Sequence, residues 1–266
     1  MVIQTFKIVS WNVNHRAACW SKILDFEADM VLLQEATKAG MPDTDFFQII
    51  EPPAENWKIV NSPKKGTAAT AIVVRNENLM LAVSTSEIIS SHPGQFSVAF
   101  LPFGAHGMYF ISLYGILDGS FADGSLHRAI SDLSPIFESK SEVLIAGDLN
   151  SFRGYSISSS KTANLRAAKR HALIFDRFEA MGLKCVGPFS TNGPLENCPC
   201  NDSATCDHVH TYRYMNREGE RAFQNDYVFA TKGISKKLLS CKALTDDDKS
   251  LWKLSDHSPI EIVFEY

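Results

Sequence analysis

Apolar and polar positions along this chain follow a period of two at many places and a three-and-four spacing at few, so strands should outnumber helices. Phe6-Lys7-Ile8-Val9-Ser10-Trp11 predicts a first strand and Met30-Val31-Leu32-Leu33 a second, with a helix over residues 17–27 between them. Strands follow over 68–75, 79–86, 96–103 and 108–114, separated by loops rich in Pro, Gly and Asn. Leu126, Ala129, Ile130, Leu133 and Phe137 recur near helical spacing and place a helix over 125–140. Val143, Leu144, Ile145 and Ala146 are apolar in succession. That run reads as a strand buried on both faces, with a buried helix the alternative that periodicity leaves open. A helix over 164–181 should stop at Gly182. Residues 210–214 and 223–230 read as a hairpin with 216–220 in its turn, and 260–264 as the last strand. The pattern predicts a two-layer β core flanked by helices, in a single domain over 1–266 with no linker or internal repeat.

Several of these strands end in polar residues that a rigid backbone can aim. The clearest is Gly147-Asp148-Leu149-Asn150, where Asp148 and Asn150, alternate residues, can grip one small object. Asp supplies a base or cation ligand, and Asn a donor pair and an acceptor, a combination that suits a phosphate under attack by water. Taken alone, the four residues are also ordinary turn formers. Asn12, Glu35, Tyr114, Asp226, Asp256 and His257 stand at comparable positions.

Composition narrows the setting. With 45% hydrophobic and 21% charged residues, 266 residues can bury a large core. The N-terminus lacks a basic segment followed by a long apolar run, and no stretch nears the roughly 18 apolar residues of a membrane span. A soluble, cytoplasmic protein is expected, with a monomer the favoured state. Six scattered cysteines fit a reducing compartment. A net charge of -4 argues against coating DNA by bulk electrostatics but leaves room for a local basic groove.

Trp11-Asn12-Val13-Asn14, Gln34-Glu35, Gly147-Asp148-Leu149-Asn150, Asn225-Asp226-Tyr227 and Ser255-Asp256-His257-Ser258-Pro259, in this order, resemble the endonuclease/exonuclease/phosphatase superfamily of exonuclease III and DNase I. The resemblance extends from residue 8 to residue 264. It implies a four-layer α/β sandwich, two packed and mostly antiparallel sheets flanked by helices, and hydrolysis of a phosphate ester with Mg²⁺ or Mn²⁺. Glu35 and Asn12 offer the oxygen ligands a hard ion prefers, and Asp256 is a candidate second metal contact. By the same resemblance His257, oriented by Asp226, sits on the phosphate. Asp148 orients or deprotonates the attacking water, Asn150 helps hold it in line, and Tyr114 takes a position where some members place a tyrosine against the phosphate. Asn14 occupies a neighbouring site that is often acidic in the nucleases. Singly, Glu35 and Asp256 would read as surface charges, Asp226 as a turn cap, His257 as a structural histidine and Tyr114 as core packing. Their joint occurrence favours catalysis.

Arg153, Lys161, Arg166, Lys169 and Arg170 fall in a stretch with no acidic residue between Ser151 and Phe175. Arg166, Lys169 and Arg170 share a helical face, which suits a polyphosphate backbone, with a solvated helix face the alternative. Ser151-Phe152-Arg153-Gly154 differs from what abasic-site repair enzymes carry after the equivalent Asn. A nuclease is therefore expected, with DNA or RNA left open. A phosphomonoesterase or small phosphodiesterase is the alternative, and a catalytically silent nucleic-acid-binding module the rival from another class. Separately, Cys198, Cys200, Cys206, His208 and His210 offer enough soft and borderline ligands for one tetrahedral Zn²⁺ with one to spare. A Cys198–Cys206 disulfide and unligated thiols are the alternatives.

Overall fold

The computed structural model describes residues 4–42, 47–51, 68–75, 83–84, 88–102, 106–155, 161–191, 193, 198, 200, 206–217 and 219–265. In chain order the elements are β1 (Thr5–Asn12), α1 (Cys19–Asp25), β2 (Met30–Ala36), β3 (Phe47–Ile50), β4 (Ala69–Arg75), β5 (Val83–Ser84), β6 (Phe96–Leu101) and β7 (Met108–Tyr114). Then come α2 (Asp123–Asp132), α3 (Ser134–Phe137), β8 (Glu142–Asp148), α4 (Lys161–Ala180), β9 (Leu183–Gly187), β10 (Tyr212–Asn216), β11 (Gly219–Phe223), β12 (Asp226–Thr231), α5 (Lys232–Lys237), β13 (Leu238–Ala243) and β14 (Ile260–Glu265).

The strands form two six-stranded sheets, ordered β13-β14-β1-β2-β4-β3 and β5-β6-β7-β8-β12-β9, with β10 and β11 as a separate ribbon. Among the described strands only β1–β2 and β7–β8 pair in parallel, each across a helical connection, and the other pairs are antiparallel. Alternation sorts the side chains into layers. Ile8, Leu32, Ile72, Phe110, Leu144, Ala146 and Val228 meet in the core between the sheets. The odd-numbered neighbours in β1, β2 and β4, such as Val9, Trp11, Leu33 and Val73, pack against Trp20 and Ile23 of α1. Ile111, Ile145 and Phe229 pack on the other outer face against Leu126 and Ile130 of α2 and Ile174 and Phe178 of α4. This is the four-layer sandwich. Truncating an inner residue such as Leu144, fully buried, should cost roughly 2–5 kcal/mol.

The strand reading of 143–146 holds, and β8 is central in its sheet. Gly147 is required there, since a Cβ would run into the carbonyl oxygen of Leu113 on β7. Gly182 ends α4 with φ 82°. The helix expected over 125–140 is split in two, because Pro135 lacks the amide hydrogen a continuous helix would use and instead opens α3. The predicted strand over 79–86 lies mostly outside the described residues, which include only its Val83–Ser84 core.

One pairing differs from expectation. Residues 223–230 are not one strand of a hairpin, because the chain breaks at Gln224-Asn225. The ribbon closes earlier, between β10 and β11, while β12 leaves it to pair with β8 and β9. Thr211 Oγ1 fixes the break by accepting from the amides of Asn225 and Asp226, 3.0 Å each. The edge strands β3, β9 and β13 lack clean alternation and were not predicted. No helix among the described residues is long and apolar enough to cross a membrane.

Candidate active site

The inner-face parity that makes the core also makes the site. Ile8, Ser10 and Asn12 point inward from β1; Leu144, Ala146 and Asp148 from β8; Phe110, Ser112 and Tyr114 from β7; and Asp226, Val228 and Ala230 from β12. At the end of the inter-sheet seam the apolar residues give way to these polar ones. Register sets them side by side, with Asp148 directly opposite Tyr114 on one neighbour and Asp226 on the other. Just below, Gln34 Nε2 donates to Ser112 Oγ of the facing sheet at 2.9 Å, and Ser112 Oγ donates to Leu33 O at 2.7 Å. The two sheets are thereby locked next to the site.

Asp148 is the hub, with 1% of its surface exposed. Its Oδ1 accepts from the Asn150 amide at 2.8 Å. Its Oδ2 accepts from Asn12 Nδ2 at 2.9 Å and Asn150 Nδ2 at 3.2 Å, with His257 Nε2 3.6 Å away. His257 Nδ1 meets Asp226 Oδ2 at 2.9 Å, so the imidazole lies between two carboxylates. Its place is fixed by Ser255 Oγ, which accepts from the His257 amide and donates to Asn12 O, and by Trp11 Nε1 on His257 O. The Tyr212 ring covers the imidazole at 4.7 Å.

Glu35 reaches this group by a local irregularity. Strict alternation would put it on the outer face with Leu33, but the β2–β4 register shifts between Leu33 and Ala36, and Glu35 has φ 49°. The turn brings Oε1 to 3.1 Å from Asn12 Nδ2 and Oε2 to 2.8 Å from His15 Nε2. Of the five non-glycine residues with positive φ among those described, four, Asn14, His15, Glu35 and Asn150, belong to this site, the pattern of backbone strain held in place at functional positions. Asn14 Nδ2 donates to Asp256 Oδ1 at 2.7 Å.

The electrostatics follow from burial and partners. Burial would raise Glu35, but hydrogen bonds from His15 and Asn12 outweigh it and hold the carboxyl at about 2. Burial would lower His257, and the carboxylates of Asp226 and Asp148 raise it well above its ordinary value instead, so the ring is held as imidazolium. Burial pushes Asp148 up, against the pull of His257 and with Asp226 and Glu35 adding to the push. Burial and then the charges of Glu35 and Asp148 push the Tyr114 phenol upward, leaving it a neutral donor.

The Asn12 amide, expected to offer an oxygen to a metal, is oriented by three hydrogen bonds. Its Oδ1 accepts from the Asn14 amide at 2.9 Å, and it turns its nitrogen toward Glu35 and Asp148. Four carboxylates, Glu35, Asp148, Asp226 and Asp256, surround one imidazolium, and this surplus of negative charge together with all-oxygen donors fits a hard divalent cation.

A groove of about 560 Å³ runs from Asn150 between α4 and the β10–β11 ribbon, lined by Phe121, Phe152, His171, Tyr212, Tyr214 and Phe223. Asn225, 4% exposed, also lines it, and its Oδ1 has no partner among the described residues. Arg166 and Lys169 are exposed on α4. Arg170 is committed to Asp123 through two hydrogen bonds, 2.7 and 2.8 Å, and lies over the Phe121 ring. Arg153 is paired with Asp207 and lies over Phe189. The Lys161 side chain lies outside the described residues. Cys198, Cys200, Cys206 and His208 come together in a cluster apart from the site, their ligand atoms all within 4.8 Å of one another; His210 is not part of it. All six cysteines are thiols.

The sequence did not mark His15 or Tyr212 as site residues. His15 directly follows Trp11-Asn12-Val13-Asn14 and Asn225 opens Asn225-Asp226-Tyr227, so both adjoin the motifs, whereas nothing in the order of residues marks Tyr212.

Two facing sheets between helical layers, with an Asp–His–Asp array at the end of their seam, define the α/β sandwich of the AP endonuclease fold. The sequence profile of the Endonuclease/Exonuclease/phosphatase family matches residues 9–257, and the chain belongs to that family. Its members are phosphoesterases, nucleases and phosphatases among them. The AP endonuclease LMAP from Leishmania major superimposes with a TM-score of 0.69 at 14% identity, covering 99% of this chain and 88% of that one. The Xenopus laevis APE2 catalytic domain gives 0.67 at 13%, covering 98% and 92%. The 3'-5' exonuclease NExo from Neisseria meningitidis gives 0.63 at 14%, covering 98% and 100%. A search of curated protein sequences finds no match.

Proposed function

We propose that this protein is a divalent-metal-dependent phosphodiester hydrolase, a nuclease that directs water at phosphorus. The observation that carries the reading is His257, fixed by Asp226 at Nδ1 and standing with Nε2 3.6 Å from Asp148 Oδ2 at the end of the seam. As imidazolium it donates from Nε2 to a phosphate oxygen and stabilises the charge that grows there. Asp148, raised toward neutrality, takes the proton of the attacking water, since a base works best with its pKa near the working pH. Asn150 and Asn12 hold that carboxylate in one orientation, and neutral Tyr114 offers a further donor. Glu35 and Asp256 would hold Mg²⁺ or Mn²⁺, which neutralises charge on the phosphate.

A nucleic-acid substrate is favoured by the groove next to Asn150. Its aromatic walls suit bases or sugars, and exposed Arg166 and Lys169 suit a backbone. Structural neighbours described as an AP endonuclease and a 3'-5' exonuclease support the same choice. A phosphomonoesterase is the second reading, favoured by a NExo structure described as a 3' phosphatase bound to product DNA hairpin. The test is incubation with Mg²⁺ or Mn²⁺ and single-stranded DNA, double-stranded DNA, RNA, 3'-phosphorylated oligonucleotides and a chromogenic phosphate ester. Shortened oligonucleotides support the nuclease, phosphate release without shortening supports the second reading, and an inert protein that still binds oligonucleotides would leave a binding module.

A further inference from the structure

We infer that Cys198, Cys200, Cys206 and His208 form a structural Zn²⁺ site that anchors the strap over residues 206–213 against the catalytic residues. The inference does not depend on the hydrolase reading. Cys198 Sγ and Cys206 Sγ stand 3.5 and 3.4 Å from His208 Nδ1. A tetrahedral zinc with Zn–S of about 2.3 Å and Zn–N of about 2.0–2.1 Å has S···N edges of about 3.5 Å, so the spacing is that of a ligand shell. His208 Nε2 lies 2.8 Å from the Arg153 carbonyl oxygen, to which it donates. That bond places the ring proton on Nε2 and turns the Nδ1 lone pair toward the thiols, the outer-shell arrangement expected of a metal-bound imidazole. Three sulfurs and one nitrogen, with no oxygen, select zinc over the hard ions that suit Glu35.

The strap explains why such a clamp matters. Beyond His208, the Val209 amide donates to Gln224 Oε1 at 3.3 Å, and Thr211 Oγ1 holds the amides of Asn225 and Asp226. Thr211 O accepts from the Ser258 amide at 2.7 Å, and the Arg213 amide donates to Asp256 O at 2.9 Å. His208 itself holds Arg153, three positions past Asn150. One irregular segment therefore touches the chain beside Asn150, Asp226, His257 and Asp256. None of the four ligands lies in a helix or strand among the described residues, so metal binding and local order should be coupled.

Elemental analysis of protein purified without chelator should find about one zinc per chain, and Cys206→Ser should lose it while Glu35→Gln retains it. Zinc absent from the wild type, or retained by Cys206→Ser and lost by Glu35→Gln, overturns the site. Should Cys206→Ser fail to fold, titrating the wild type with an organomercurial answers the same question. Thiol modification should release the zinc to a chromogenic chelator, and release without thiol modification would place the metal elsewhere. For the strap, amide hydrogen exchange should quicken over residues 206–213 and 224–226 when zinc is removed. Unchanged protection there would show that the strap holds without the metal.

Discussion

Among the described residues, two clusters gather ionisable ligands to within 4.8 Å, Asp148 with Asp226 and His257, and Cys198 with Cys200, Cys206 and His208. They are built in opposite ways. The first stands on strand ends whose register fixes it before any ligand arrives, and the second on described residues that belong to no helix or strand. Pairing of β8 with β7 and β12 holds the carboxylates of Asp148 and Asp226 against their mutual repulsion, and His257 balances part of their charge. In the loop cluster no strand pairing does this, and the metal inferred above takes its place. The difference teaches that a buried polar site keeps its shape either through the backbone beneath it or through the ion within it.

The largest expected contrast is between one substitution in each cluster. Asp148→Asn should lower kcat by roughly 10²–10⁴-fold, because the water loses its base, while leaving the thermal midpoint near that of the wild type, since the strands still pair. Cys206→Ser should do the reverse in kind, lowering the midpoint by several degrees. Calorimetry beside steady-state kinetics decides it, and an Asp148→Asn enzyme with wild-type turnover would remove Asp148 from the mechanism.

Asp226→Asn should have the next largest effect, roughly 10- to 100-fold on kcat as a fraction of a general acid–base contribution, and it should change the pH profile. Asp226 helps raise His257, so its neutralisation lowers the imidazole, and the high-pH limb of the rate should move to lower pH. A limb that stays in place would mean the imidazolium is not the group titrating there.

A smaller effect concerns substrate contact. Arg166→Ala with Lys169→Ala should weaken oligonucleotide binding and flatten the slope of log affinity against log salt by up to about 2 on duplex DNA, with little change on a chromogenic ester. Arg170→Ala should act through stability instead, since its guanidinium is spent on Asp123; loss of such an exposed pair costs about 0–1 kcal/mol. Salt-dependent binding of both variants separates the two roles.

The last effect is confined to the acid limb of stability. Glu35 is lowered from 4.5 to about 2 in the folded chain, so its contribution is complete above 4.5 and is lost as pH falls toward 2. Urea midpoints measured across that window should fall less steeply in Glu35→Gln than in the wild type. Parallel curves would contradict the tethering of Glu35 by His15 and Asn12.

The amino-acid order by itself determined most of the strands, because a period of two is a local property: each pair of neighbours shows which face it serves. It also determined that polar residues close the strands at Asn12, Tyr114 and Asp148, and their inward parity follows from the same count. What it did not determine is which ends meet. Asn12 reaches Asp148 across 136 positions and Asn14 reaches Asp256 across 242, and such contacts depend on sheet order and on how the sheets face each other. Tertiary structure alone moved Glu35 off its predicted face through a register shift, brought His15 onto its carboxylate, turned the Asn12 nitrogen toward the acids, and separated β12 from the ribbon to set Asp226 opposite Asp148. Four cysteine and histidine ligands were legible as a set, but their common point was not, since loop geometry follows from anchors such as the Arg153 carbonyl, which lie far away along the chain.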